Sequence, residues 1–354
     1  MNSKKVKIGN VYIGQDSPIS VQSMLKIKSD DFKKNIIQAQ KLEKAGCDIL
    51  RVAVPNFEAI KNIYNLKTKI KIPIVADIHF DYKLALESVS AGVDKIRINP
   101  GNIANQDHIK LIAKICNEKN IPIRIGVNSG SLERKILSKY KKITPEAMCE
   151  SAIYNIKLLE KFDFNNIVIS LKSSDVKKTV IAYKAIFQKI NYPLHLGITE
   201  AGTEKLGKIK SFVGIGSLLL DGIGDTIRIT LTSDPVKEVK AGIDLLKSLN
   251  LYKKNINLIS CPTCGRTKID IISLSKKAEK IFSNFKYNNK NLNIAIMGCE
   301  VNGPGESKFA DIGIAGGNEF GILFKKGKIV KKVEEKYLLK ELVKEVDDLL
   351  GINL

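Results

Sequence analysis

The chain has no tryptophan and only three histidines among its 354 residues, and it has no long apolar run. Nothing approaches the ~18 consecutive apolar residues that span a bilayer. The first ten residues, MNSKKVKIGN, carry lysines without the apolar stretch of a secretory signal. Six cysteines in a chain of this length do not make a disulfide framework, so a reducing cytoplasm is the expected address. Cys47 falls at a helix–strand junction, and Cys116 and Cys149 in helix-like stretches, where thiols behave as small buried apolar groups. Arginine is scarce too, with only Arg51, Arg97, Arg124, Arg134, Arg228 and Arg266 in a chain rich in lysine.

The net charge of +21 invites a nucleic-acid reading. The excess is almost all lysine and is spread along the chain. No basic stretch is interleaved with aromatic side chains, as a single-strand binder requires. The expectation is therefore no nucleic-acid partner and no membrane partner; a small anionic substrate fits the charge as well.

At this length two domains are expected. From Ile19 to about Asn250, apolar runs alternate with stretches of helical spacing eight times. The runs are ISVQSM, DILRVAVP, IPIVADIHF, DKIRINPG, IPIRIGVNS, NIVISLKSS, PLHLGITEAG and DTIRITLTS. In the first connection Phe32, Ile36, Ala39 and Leu42 share a helical face, with Gly46 where the helix would end. In the last, Val236, Val239, Ile243 and Leu246 repeat the pattern, with Ser233 or Asp234 as cap and Pro235 in the first turn. The fifth connection, Ser131 to Asp163, is long enough for two helices. Strands separated by helices pair in parallel, and eight of them predict a (β/α)8 barrel. The competing doubly wound sheet lacks a GxGxxG opening its first helix.

A barrel of this kind carries its chemistry at the C-terminal ends of its strands. There polar residues break the apolar runs at even spacing, which puts them on one side of a strand: Asp77 with His79, Arg97 with Asn99, Arg124 with Asn128, Ser170 with Lys172, and Arg228 with Thr230. Four of the scarce arginines, Arg51, Arg97, Arg124 and Arg228, lie in these strands. A guanidinium is wanted where paired phosphate or carboxylate oxygens must be held. With Lys172 they make a ring of five cations facing the acids Asp77 and Glu200, suited to a substrate with more than one negative charge, such as a diphosphate.

The remainder holds NINLIS, the loop CPTC, a helix near Ile269 to Phe285, NLNIAIM and the loop MGCEVNGPGE. DIGIA, a hairpin turning at Lys326-Gly327 and a helix from Glu334 to Leu350 complete it. Cys261, Cys264 and Cys299 lie in the two loops, each just after a strand-like run. The CxxC pair lets two sulfurs grip one centre from a tight loop. After His195 there are these three cysteines and no histidine. That argues against a zinc site built from four cysteines, or from two cysteines and two histidines. Three thiolates with a weak oxygen ligand, Glu300 or Glu306, suit an iron–sulfur cluster with one iron open to chemistry. An incidental CxxC beside a core cysteine is the alternative.

The segments CPTCGRTKIDI and IMGCEVNGPGESKFADIGIAGG closely resemble the 4-hydroxy-3-methylbut-2-enyl-diphosphate synthase family (IspG, also called GcpE). VADIHFD, RINPGN, RIGVNSGSL, ISLKSS, LHLGITEAG, GIGDTIRI and TLTSDP follow the family's order, so the resemblance spans nearly the whole chain. It implies a TIM barrel over residues 1–252 and a 4Fe–4S domain over 253–354, without the extra domain of the family's larger form. It implies cluster ligands at Cys261, Cys264, Cys299 and Glu306, and substrate contacts at Arg51, Arg97, Arg124, Asn128, Lys172, Arg228 and Thr230. Thr199 and Glu200 match residues near the reacting end, and Asp77, His79 and His195 match further polar positions of the mouth, beside Asn99. The implied reaction is reductive opening and dehydroxylation of 2-C-methyl-D-erythritol 2,4-cyclodiphosphate to (E)-4-hydroxy-3-methylbut-2-enyl diphosphate. This is a step of the methylerythritol phosphate route to isoprenoids, and flavodoxin or ferredoxin would be the electron donor. A homodimer is expected, each cluster domain capping the partner's barrel. One block departs: after VQSM the family continues with a Thr-Asn-Thr type loop, and here Leu25, Lys26 and Ile27 follow. Two rival readings use the same residues. One is a regulatory protein whose metal senses redox state; the other is a barrel transferase, since pterin-binding barrels share the strand pattern.

Overall fold

β-branched runs that pack on both faces suit parallel strands enclosed by helices, and eight such strands close a barrel in the computed structural model of the chain. It describes residues 3–99, 103, 105–252, 256–283, 287, 290–299 and 309–352. Two units are present, Met1–Leu251 and Tyr252–Leu354.

The first unit opens with a hairpin, β1 (Val6–Ile8) and β2 (Val11–Ile13), paired antiparallel. The barrel strands are β3 (Ser20–Met24), β4 (Ile49–Ala53), β5 (Ile74–Ile78), β6 (Lys95–Ile98), β7 (Ile123–Asn128), β8 (Ile167–Lys172), β9 (His195–Leu196) and β10 (Thr226–Ile227). They pair in parallel in the order β8-β7-β6-β5-β4-β3-β10-β9. The ring closes through a bridge between Ile169 and Leu194, where the Ile169 N–H donates to the Pro193 carbonyl at 2.9 Å. The last two strands are shorter than their apolar runs, so Arg228 stands one residue beyond β10 rather than inside it.

The intervening helices are α1 (Phe32–Lys44), α2 (Glu58–Lys67), α3 (Tyr82–Ser90), α4 (Gln106–Glu118), α5 (Arg134–Tyr140), α6 (Pro145–Glu160), α7 (Val176–Phe187), α8 (Glu204–Leu220) and α9 (Pro235–Ser248). Most begin on a side-chain cap that satisfies an otherwise orphaned N–H. Asp31 accepts from Lys34 N, Thr144 from Ala147 N, and Asp234 from Val236 N just before Pro235. The fifth connection holds two helices, α5 and α6.

The N-terminal hairpin has no counterpart in the reading of the sequence. Val6, Ile8 and Ile13 pack against Ile49, Val75 and Val168 from inside the barrel and form an apolar plug. Its turn uses Gly9 at φ +57, where a Cβ would come within 2.8 Å of Asp94 Oδ1; glycine is required there.

The second unit is a five-stranded sheet in the order β11 (Ile256–Ser260), β12 (Leu292–Met297), β13 (Ile312–Ala315), β14 (Phe320–Lys325) and β15 (Lys328–Glu334). The first three strands are parallel and the last two antiparallel. Lys326 and Gly327, both at positive φ, turn the hairpin, as a two-residue connection between right-twisted strands requires. One face is covered by α10 (Ile271–Phe282) and α11 (Leu338–Leu350). The last helix begins later than the sequence pattern suggests, because Glu334 still belongs to β15 and a 3-10 turn occupies Glu335–Tyr337. Phe285, the expected end of the other helix, lies outside the described residues. A 13-residue helix such as α11 is marginal alone. Fully burying Leu338, Leu342 and Val346 contributes about 1.5–3 kcal/mol each and fixes it to the sheet. No helix among the described residues is long and apolar enough to cross a membrane.

Candidate active site

Side chains paired across neighbouring parallel strands project to the same side. The register therefore places Arg51 beside Val75, Val75 beside Lys95, Asp77 beside Arg97, Arg97 beside Arg124, and Asn128 beside Lys172, all on the barrel's inner side. His195 pairs with Thr226 in the same way, and its Nδ1 lies 2.5 Å from the Thr226 hydroxyl.

Asp77, buried on β5, ties this cluster together. Arg51 Nη2 donates to its Oδ2 at 2.6 Å and Arg97 Nη1 to its Oδ1 at 3.1 Å; His79 Nε2 lies 3.2 Å from Oδ2. Burial alone would push this carboxyl up, but Arg51, the His79 contact and Arg97 together hold it well below the usual carboxylate range. His79 stands just past β5 with its ring half exposed.

The cations outnumber this acid. Arg97, Arg124 and Lys172 are buried, and Arg51 and Arg228 half-buried. The Nε atoms of Arg51, Arg97, Arg124 and Arg228 and Nη1 of Arg124 have no hydrogen-bond partner. Buried donors without partners cost free energy, and here they converge in one place. Burial pushes the Arg228 guanidinium down to about 10, helped by Arg51 and opposed by Glu238 and Asp77. Burial, and then Arg124, Arg228, Arg51 and Arg97, push the Lys172 amine well below its ordinary value. His195 is pushed down by burial, then by Arg124, Lys172 and Lys95, and its Nε2 is unpartnered. Two glycines make the room. A Cβ at Gly126 would sit 2.5 Å from Arg97 Nε, and one at Gly197 2.7 Å from Lys172 Nζ.

The remaining expected residues are less concentrated. Asn99 is buried just after β6 and donates to the Ser131 hydroxyl at 2.7 Å, so it fastens the loop after β7. Asn128 and Thr230 are half-buried at the mouth. Thr199 is half-buried, with its N–H on the Ser173 carbonyl at 3.3 Å. Glu200 is exposed at φ +51, a left-handed conformation uncommon away from glycine. Ser170 turns sideways to the Ile125 carbonyl at 3.4 Å.

The departing loop has a structural use. Leu25 enters the core, and Lys26 Nζ donates to the carbonyls of Leu231 and Ser233, both at 2.7 Å, and to Glu238 Oε1 at 2.8 Å. Buried Glu238 also accepts from Leu231 N. A single lysine thus binds the first barrel loop to the last, immediately after Arg228 and Thr230. Nothing but the departure itself signalled this clamp. Lys95 was also missed, although it shares the even spacing of Arg97 and Asn99.

In the second unit the CxxC loop is fastened to the end of β12. Cys261 N–H donates to the Ile296 carbonyl at 3.3 Å, Gly298 N–H to Cys261 Sγ at 3.2 Å, and Lys268 N–H to the Gly298 carbonyl at 2.9 Å. Gly298 lies so close to Thr267 that a Cβ would reach its side chain at 3.0 Å. Cys299, the next residue, is buried, Cys261 half-buried and Cys264 exposed. The Arg266 N–H, and then the Thr267 hydroxyl and the Arg266 guanidinium, draw the Cys264 thiol below its ordinary value. Among the described residues no three thiol, imidazole or carboxylate groups converge closely enough to ligate one ion. A multi-iron cluster, by contrast, takes its thiolates on separate irons. N–H donation to one sulfur and a lowered thiol in the same loop fit that demand. Glu300 and Glu306 lie outside the described residues.

A parallel barrel whose mouth gathers unpartnered cations, followed by a small α/β unit carrying three thiols, is the architecture of an iron–sulfur oxidoreductase family, and the chain's relatives show that class. The chain belongs to the GcpE family: residues 3–243 match its TIM-barrel domain and residues 257–348 its C-terminal domain. It is 54% identical over 349 residues, 99% of both chains, to the 4-hydroxy-3-methylbut-2-en-1-yl diphosphate synthase (flavodoxin) of Clostridium acetobutylicum. It is 56% identical over 348 residues to the protein of the same description from Caldanaerobacter subterraneus subsp. tengcongensis, covering 98% of this chain and 97% of that one. Among solved structures, dihydropteroate synthases of Xanthomonas albilineans and Yersinia pestis share the barrel. Both have a TM-score of 0.51 and 11% identity, and both cover 70% of this chain and 97% of theirs. At that identity the likeness is one of fold alone.

Proposed function

We propose that the barrel mouth binds the substrate of the family's reaction and that the second unit holds a 4Fe–4S cluster on Cys261, Cys264 and Cys299, with Glu306 as a fourth, weaker ligand. The chain is an oxidoreductase of isoprenoid biosynthesis. It opens and dehydroxylates 2-C-methyl-D-erythritol 2,4-cyclodiphosphate with two electrons to give (E)-4-hydroxy-3-methylbut-2-enyl diphosphate. The observation that carries the substrate reading is the convergence of unpartnered buried guanidinium nitrogens around a single carboxylate.

In that reading Arg97, Arg124, Arg228 and Lys172 hold the phosphate oxygens, and Asp77 fixes the orientation of Arg51 and Arg97 before the substrate arrives. Preorganised donors of this kind need no reorganisation when charge develops. Asn99, Asn128 and Thr230 position the diphosphate, and His79 and His195 shape the rim and floor. Thr199 and Glu200 lie where the carbon skeleton would react. When bound, the cluster supplies electrons singly and one iron able to act as a Lewis acid towards oxygen. Flavodoxin, which the relatives' descriptions name, or ferredoxin delivers those electrons, in the cytoplasm.

Alanine at Arg97, Arg124 or Arg228 is expected to weaken substrate binding while leaving iron content unchanged. Each removes a charge-assisted hydrogen bond of about 1.5–3 kcal/mol, or roughly ten- to a hundred-fold in affinity. Calorimetric titration without electron donor measures it; unchanged affinity in all three variants would make these arginines structural.

The finer arrangement proposed is a homodimer in which the second unit of one chain serves the barrel of its partner. Mixing Cys264→Ala with Arg228→Ala under conditions that exchange subunits, at a substrate concentration too low for Arg228→Ala alone to turn over, is expected to restore activity, up to one working site per mixed dimer. An inactive mixture with exchange demonstrated would place both halves of the site on one chain.

A further inference from the structure

Lys95 is the residue that the substrate reading leaves without a role. It opens β6 beside Val75, one inward position below Arg97. Its side chain is fully buried and its Nζ has no hydrogen-bond partner. Beneath it the plug of Val6, Ile8 and Ile13 against Val75 closes the barrel with apolar side chains. Arg51 on β4 shares its row through Val75, and Arg124 on β7 stands one row higher; these are the charges it feels, while β5 contributes Asp77, also one row higher and already bonded to Arg51 and Arg97. His195 on β9, which also feels Lys95, Lys172 on β8 and Arg228 just beyond β10 face the same space. The amine sits on an apolar floor with cations, rather than an anion, as its nearest charged neighbours.

We propose that Lys95 is a buried proton acceptor beneath the substrate: its amine takes a proton from solvent when the cyclic diphosphate binds, and so adds a positive charge to the site only when that charge is matched. The inference rests on the barrel mouth being the diphosphate site. Burial, then Arg124 and Arg51, hold the empty-state amine well below the ordinary lysine value. A nearby dianion acts in the opposite sense and favours the ammonium. The guanidiniums cannot play this part, since they do not release their protons at working pH. Lys172, whose amine burial also holds low, meets the ligand directly at the mouth and adds an uptake of its own, so the share due to Lys95 is read as a difference between variants.

The substrate simplifies the test. Each of its phosphorus atoms is esterified and bridged, which leaves one strongly acidic hydroxyl apiece, so the ligand itself exchanges no proton between about pH 7 and 9. The holoenzyme is titrated with it calorimetrically, without electron donor, at several pH values and in two buffers of different ionisation enthalpy. The parent is expected to take up between about half and one proton per ligand near pH 8, and by linkage its affinity then falls about three- to tenfold per pH unit as pH rises. In Lys95→Met the buffer dependence of the heat and the pH slope of the affinity should both shrink by the share that Lys95 supplies, leaving only what Lys172 adds. Lys95→Arg, whose charge is permanent, should bind with the same reduced uptake, a result that a purely structural lysine would not give. No uptake by the parent overturns the inference, and so does undiminished uptake in either variant. A parent that does not bind the cyclic diphosphate at all fails earlier in the same titration and removes the substrate reading itself.

Discussion

Cys264→Ala is expected to abolish activity and to yield a protein without the brown colour of the parent. Cys264 is the exposed thiol of the CxxC loop, and its sulfur is already drawn toward the thiolate by the Arg266 N–H. The thiolate is the form that binds iron. On the proposed ligand set, the variant would leave a cubane only two sulfurs, one from Cys261 and one from Cys299. Anaerobic purification with iron and sulfide analysis is the measurement. The parent should hold about four irons and four sulfides per chain, and the variant only a small fraction. Calorimetric binding of substrate should survive, because the proposed phosphate contacts all come from barrel residues. A variant that retained full iron would remove Cys264 from the ligand set. A parent that came off the column colourless with one tightly bound zinc would remove the iron–sulfur reading.

Asp77→Ala carries the second large effect, on stability. Among the described residues Asp77 is the only acid seen bonded to Arg51 and Arg97. Removing one partner of a buried ion pair costs about 3–5 kcal/mol, because the other charge stays buried and uncompensated. At roughly 2–4 °C per kcal/mol for a domain of this size, the melting temperature should fall by about 6–20 °C. The native carboxyl is held below its unfolded value. Its contribution is therefore present above about pH 4, the unfolded value, and is lost only as pH falls through the lower native one. The gap between parent and variant should stay constant from about pH 5 to 7. The cyclic diphosphate, a dianion, should return part of the loss by supplying the missing negative charge. A shift below about 2 °C, less than 1 kcal/mol on the same scale, would mean that Asp77 does not hold these guanidiniums in place.

Legibility in the sequence followed contrast. The eight strand runs stood out because β-branched residues cluster between helical spacings, and α9 announced itself through Asp234 and Pro235. The hairpin Val6–Ile13 did not, because strands of three residues are too short to show a period. Scarcity made the arginines visible. Lys95 has the same parity as Arg97 but is one lysine in a lysine-rich chain, and composition lent it no emphasis. Gly126 and Gly197 make room for Arg97 and Lys172, a use that depends on side chains meeting across strands and leaves no local signal. The clamp made by Lys26 joins residues more than two hundred apart, beyond any local pattern. The thiol loops were readable because glycine, proline and cysteine crowd together there. What was not readable is how Gly298 braces Cys261.

The apolar hairpin that closes the bottom of the barrel has a bearing on traffic. It makes the interior a cul-de-sac: an anion bound by the arginines, as proposed, would have to leave by the way it came. Product and incoming substrate would then queue for a single doorway, and the next molecule could not push out the last. Release at the mouth, rather than passage through the barrel, becomes the step at which turnover can be throttled, and anything that resembles the product would compete with substrate for the same entrance.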